Sequence, residues 1–150
     1  MSQSTQQVIE DLKTLLQGTR MGKSTYEDYL IQVKSEPLRK QLNEALRIFS
    51  HHETSLAQHL HALNASAEEE FKIGSMMSEF FEKMKAEMAN DDRKLLDYAV
   101  RAIDMALKSC QDFKKRHTHL EKDLLKSIDE LEKDYKFIYQ SLIDLKLDED

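Results

Sequence analysis

Apolar residues recur along almost the whole chain at alternating intervals of four and three, the spacing that gathers them on one face of an α-helix. The first such run, Val8, Leu12, Leu15, Thr19, Gly22, Tyr26, Tyr29 and Val33, predicts a helix over residues 5–33. Ser35-Glu36-Pro37 interrupts it, and Pro37 falls in the first turn of a second helix, where its missing N–H does no harm. That helix, over residues 37–63, carries Leu38, Leu42, Ala45 with Leu46, Phe49, Glu53, Leu56, Leu60 and Leu63, so Glu53 is the exception in an apolar row. Ser66-x-x-Glu69 is a capping-box pattern that opens a further amphipathic helix over residues 67–89. Asn90 or Asp91 caps the next one, with Leu96, Ala99, Ile103, Ala106, Cys110 and Phe113 on its inner face. A turn at residues 116–119 follows, with Thr118-x-x-Glu121 as a second capping box, and the last helix carries Leu124, Ile128, Leu131, Tyr135, Ile138, Leu142 and Leu145.

The chain also repeats itself. Thr19-Arg20-Met21-Gly22 through Tyr29 aligns with Ile103-Asp104-Met105-Ala106 through Phe113, and each copy is followed by a second helical run. The repeated unit is a helical hairpin, and two hairpins make a four-helix bundle, all-α, with residues 67–89 as the crossover between them. The whole of 1–150 reads as one domain.

Composition supports this reading and narrows the partners. Three Gly, one Pro and 33% charged residues suit helices with solvated outer faces and exclude a strand-rich fold. A net charge of −6 disfavours nucleic acid and anionic membrane, both of which need clustered Lys and Arg. A single cysteine excludes an intrachain disulfide, and the N-terminus has neither the basic nor the apolar region of a secretory signal. No apolar run approaches the roughly 20 residues of a membrane span. The expected location is the cytoplasm.

The segment Leu15-Leu16-Gln17-Gly18-Thr19-Arg20-Met21-Gly22-x-x-x-Tyr26-Glu27-x-Tyr29, its second copy around Met105, and the runs ending Leu56-Ala57-x-x-Leu60 and Ile138-x-x-x-Leu142 resemble bacterial ferritin-like proteins. The likeness is to the rubrerythrin-related group of uncharacterised two-hairpin bundles, and it covers residues 5–146. The resemblance implies a di-metal centre with Glu on the first and third bundle helices and Glu-x-x-His or His-x-x-His on the other two. Carried over, those positions are Thr19, Ile103, Glu53 with Leu56, and Tyr135 with Ile138. Of six implied ligands only Glu53 remains, and one carboxylate cannot hold a pair of iron or manganese ions.

Two fates are open to a lone acid at Glu53: a hydrogen-bonded layer with Thr19 and Tyr135, or a turn to the rim towards a lysine or solvent. Thr19, Glu53, Leu56, Ile103, Tyr135 and Ile138 are accordingly read as a vestigial, metal-free centre without catalytic residues. The reading that follows is a non-enzymatic bundle acting through protein contacts, with self-association as a homodimer. The alternative is an iron- or manganese-dependent oxidoreductase of the oxidative-stress type, with Glu53, His52 and His59 as ligands. A small-ligand pocket in the vacated centre would show as a cavity among Thr19, Glu53, Ile103 and Tyr135. Met76, Met77, Phe80, Phe81 and Met84 of the crossover form the candidate partner-binding surface, since methionine adapts to varied apolar surfaces. Cys110 lies on the core stripe and reads as a small buried apolar residue.

Overall fold

The computed structural model describes residues 3–67 and 91–147 together with Glu79 and Lys83. The predicted crossover helix and the partner-binding residues Met76, Met77, Phe80, Phe81 and Met84 lie outside the described residues. The elements whose bounds fall wholly within the described residues are the helices α1 (Gln3–Gln32), α2 (Glu36–Ala62), α3 (Asp92–Arg116) and α4 (Lys122–Ile143).

Local chemistry sets their ends. Ser35 caps α2, its hydroxyl accepting from the Leu38 N–H at 3.3 Å. The Arg39 guanidinium reaches back to the Val33 carbonyl at 2.7 Å and satisfies part of the exposed C-terminus of α1. Asn64 takes φ 59, a left-handed conformation that asparagine tolerates, and the Ala65 N–H then closes α2 by bonding the Leu60 carbonyl at 2.9 Å. Asp91 is the residue that caps α3, through the Arg93 N–H at 2.9 Å. The second capping box is corrected: Glu121 is itself the cap of α4, its carboxylate accepting from the Asp123 and Leu124 N–H groups at 3.1 and 3.2 Å. Residues 117–120 are taken up in crossing between helices, so α4 begins later than Thr118 would place it.

Helices α1 and α2 pack as one antiparallel hairpin, α3 and α4 as another, and the hairpins meet through α1 on α3 and α2 on α4. Side chains fix the directions. Tyr26 near the end of α1 donates to the Ala99 carbonyl near the start of α3 at 2.6 Å, while Asp11 near the start of α1 meets His117 just beyond α3 at 2.7 Å. The pairs His52–Asp134 and His59–Ser127 run antiparallel in the same way along α2 and α4. The Asp92 carboxylate binds the Lys34 and Ser35 N–H groups at 3.0 and 2.8 Å, so α3 starts at the α1–α2 turn, the far end of the bundle from the end of α2.

The core is the seam where the four inner faces meet. Leu12, Tyr26, Tyr29, Leu38, Leu42, Leu60, Ala99, Ile103, Cys110 and Ile128 are wholly buried. Ile9 and Leu16 join the predicted stripe of α1, and Val8 is only half-buried, because α1 packs on two neighbours and needs a wider apolar face than one row. On α3 the buried face is Leu95, Tyr98, Ala99, Ala102, Ile103, Leu107, Cys110 and Phe113, with Leu96 and Ala106 at its margin. Gly22 is buried against Phe49, whose ring tip would lie 3.3 Å from a Cβ at that position, so glycine here serves close approach of α2.

Candidate functional site

Five of the six residues of the predicted centre are buried in the core, and two of them, Thr19 and Tyr135, are in hydrogen-bond contact. Thr19, Leu56, Ile103, Tyr135 and Ile138 are all at most 3% exposed. Glu53 is not among them: its side chain is 26% exposed and turns outward, where it meets Arg20 at 3.2 Å and Lys23 at 3.4 Å. Of the two fates open to this acid, the rim is the one observed. Arg20 also donates to the Ala67 carbonyl at 2.6 Å, so the same guanidinium holds the chain leaving α2 against the middle of α1.

The inner row of α2 is instead completed by His52, which is 2% exposed. The sequence admits both assignments, since Glu53 and His52 each lie at helical intervals from Phe49 and Leu56. Physical cost separates them. A carboxylate is expensive to bury and has two cations waiting on its outer side, whereas a neutral imidazole can enter the core with one hydrogen bond. His52 makes that bond with Asp134 on α4, at 2.7 Å. Burial is the main influence on its pKa and holds it below the ordinary value, with Asp134 opposing. The imidazole is therefore neutral at pH 7, and because a carboxylate only accepts, its Nε2–H is the donor.

Where the two halves of a metal site would face each other, two hydroxyls do so. Thr19 donates to the Leu15 carbonyl at 2.9 Å, and its oxygen lies 2.6 Å from the Tyr135 hydroxyl. A threonine hydroxyl has one hydrogen, already used, so Tyr135 is the donor in the second bond. Burial raises the Tyr135 pKa, with the Thr19 bond opposing, and burial likewise raises that of Tyr26. Both phenols stay protonated and act as donors. Phe49 stands between them, edge-on to Tyr26 at 5.1 Å and to Tyr135 at 5.7 Å, and His52 meets the Tyr135 ring at 6.1 Å. Tyr26, Phe49, Tyr135 and His52 thus form a continuous column of rings through the centre.

The donor set does not fit a di-iron or di-manganese pair. Such a pair needs carboxylate oxygens and imidazole nitrogens converging from four helices, whereas Thr19 and Tyr135 present two hydroxyls bonded to each other, and Leu56, Ile103 and Ile138, buried in the same apolar core, carry no donor atom. The alternative ligands do not converge either. Glu53 faces α1, while His52 and His59 face α4, the latter on Ser127 at 2.7 Å. Among the described residues no three His, Cys, Asp or Glu side chains are grouped to hold a metal ion. Two open clefts among the described residues, one along α2 from Glu36 to Ser50 with Leu145 and one between Asp11, Thr14, Met105 and Asp112, touch neither Thr19 nor Tyr135. Cys110 is buried, its thiol pushed up to about 12 by desolvation and turned to the Ile128 carbonyl at 3.7 Å.

The rim position of Glu53 has a measurable consequence. Glu53→Gln is expected to lower unfolding free energy by about 1 kcal/mol or less, because a half-exposed ion pair is screened by solvent. The difference from the parent protein should shrink in roughly 1 M salt. Urea unfolding at low and high salt measures both effects.

The domain of unknown function DUF2383 matches residues 7–116. Among solved structures, a ferritin-like, diiron-carboxylate protein from Bacillus anthracis str. Ames is 18% identical over 95% of this chain and 97% of that one, with a TM-score of 0.76. The bacterioferritin-related protein of Bacteroides fragilis, a dodecameric thioferritin, is 15% identical over 93% of this chain and 84% of that one, with a TM-score of 0.75. A two-domain protein from Anabaena variabilis ATCC 29413, containing DJ-1/ThiJ/PfpI-like and ferritin-like domains, is 17% identical over 93% of this chain and 35% of that one, at a TM-score of 0.69. The fold is ferritin-like. No match was found among curated proteins. No helix of the described residues is long and apolar enough to cross a membrane.

Proposed function

This chain belongs to the DUF2383 family, and we propose that it is a non-enzymatic, cytoplasmic member of the ferritin-like fold that acts through protein contacts, its own copies included. The observation that carries this reading is the Thr19–Tyr135 bond at 2.6 Å, where a metal-binding relative of the fold would need carboxylates. Thr19 and Tyr135 are buried and hydrogen-bonded to one another, Leu56, Ile103 and Ile138 are buried aliphatic side chains, and Glu53 is engaged by Arg20 and Lys23. Self-association has support of another kind, since the Bacteroides fragilis neighbour is described as dodecameric. Residues 1–150 would form the single domain that associates.

The test is metal content. Untagged protein produced in medium supplemented with iron and manganese is expected to carry far less than one equivalent of either per chain by plasma mass spectrometry. One or two equivalents, lost on Glu53→Ala, would sink the reading in favour of the oxidoreductase. Sedimentation velocity on the same sample reads the oligomeric state, and a strict monomer at high concentration would remove self-association from the proposal.

A further inference from the structure

The outer side of α4 repeats at helical intervals, as its buried side does. Lys126, Glu130, Lys133 and Phe137 follow one another by four, three and four residues, so they form one row along the helix, and all four are exposed. Phe137, at 53%, is the one exposed aromatic ring among the described residues. A single exposed ring is ordinary on a protein surface, but the charges in line with it point to a partner. They read plus, minus, plus and then the ring. Two further acids flank the row, and both are drawn away from it: Asp129 meets Lys114 at 2.7 Å, and Asp134 meets His52 at 2.7 Å.

We propose that this row is an interface between two copies of the chain, with two α4 helices packed antiparallel about a twofold axis that passes between Glu130 and Lys133. A twofold contact uses the same patch on both copies, so the row has to complement itself when it is reversed. Reversed about that point, Glu130 stands against Lys133 of the second copy and Lys133 against its Glu130. Phe137 then lies against Lys126 of the second copy, whose alkyl stem can cover the ring and whose ammonium is attracted to its face. Every contact in this register is attractive. A parallel pair would set lysine on lysine and glutamate on glutamate, and an axis centred on Phe137 would set Glu130 against Asp144, so the charges select one arrangement. A contact one helix wide sits near or below the roughly 1,200 Å² of a standard interface, so the dimer is a weak one, sensitive to concentration and salt. The interface rests on the self-association reading and gives it a surface.

The test is sedimentation velocity of the full chain over a concentration series, at about 50 mM and about 0.5 M salt. Glu130→Lys, Lys133→Glu and the double exchange carrying both are compared with the parent, and circular dichroism of the diluted proteins checks that the helices are kept. Each single swap sets like charges together at two places and is expected to weaken the dimer about tenfold or more. The double exchange re-forms both pairs with their signs reversed and is expected to return close to the parent affinity. A parent dimer that ignores the single swaps, or a double variant as weak as either single, overturns this interface and leaves self-association to another surface. A parent that stays monomeric at high concentration overturns both and gives the row to a different protein.

Discussion

Phe49→Ala is expected to lower the unfolding free energy by about 4 kcal/mol, the largest loss from a single truncation in the centre of the bundle. Phe49 is 2% exposed and touches three partners that cannot follow it inward: the edges of Tyr26 and Tyr135 and the bare backbone of Gly22. Tyr26 is tied to the Ala99 carbonyl and Tyr135 to Thr19, so neither ring is free to collapse into the space without breaking a buried hydrogen bond. Phe49→Leu should recover much of the loss, since it refills most of the volume. Urea unfolding of the three proteins measures the series. A cost under about 1 kcal/mol for the alanine variant would mean that the column of rings is loosely packed.

Ile103→Glu should also cost about 4 kcal/mol, for an electrostatic reason. Ile103 is wholly buried and stands where the resemblance implies a glutamate ligand. In a metal-binding bundle that carboxylate would be neutralised by the ions it holds. Here it would be enclosed in the hydrophobic core, so the acid must either take up a proton or force the core open. The decisive part of the measurement is the addition of iron(II) or manganese(II) to the variant. No recovery of stability is expected, and a recovery of several kcal/mol would show that the centre can still assemble a ligand set.

The architecture was legible because the alternation of four and three is nearly unbroken and because the hairpin repeats. The internal copy around Met105 made two hairpins, and so a bundle, readable without any motif. Where reading stopped is equally local. On α2 the choice between His52 and Glu53 could not be made from spacing, because adjacent residues on a helix share a margin of the buried face. The deciding facts are the cations Arg20 and Lys23 on one side and Asp134 on the other, which come from different helices. The hydrogen-bonded layer was read as Thr19 and Tyr135 satisfying a buried Glu53, whereas the two hydroxyls bond each other and Glu53 sits outside with Arg20 and Lys23. What could not be read was Phe49 as the ring that joins Tyr26 to Tyr135, since edge-on contacts depend on rotamers. The capping box at Thr118 failed because Glu121 suits both the third helical position and the cap itself.

The bond of Asp92 to the Lys34 and Ser35 amides joins residues 57 and 58 positions apart. It records, within the hairpins themselves, how far one half slides along the other. Tyr26 on Ala99 and His117 on Asp11 record the same offset farther down. The alignment of the two halves is thus written into the helices themselves: shifting one hairpin past the other by a single turn would break these bonds at both ends of the bundle at once.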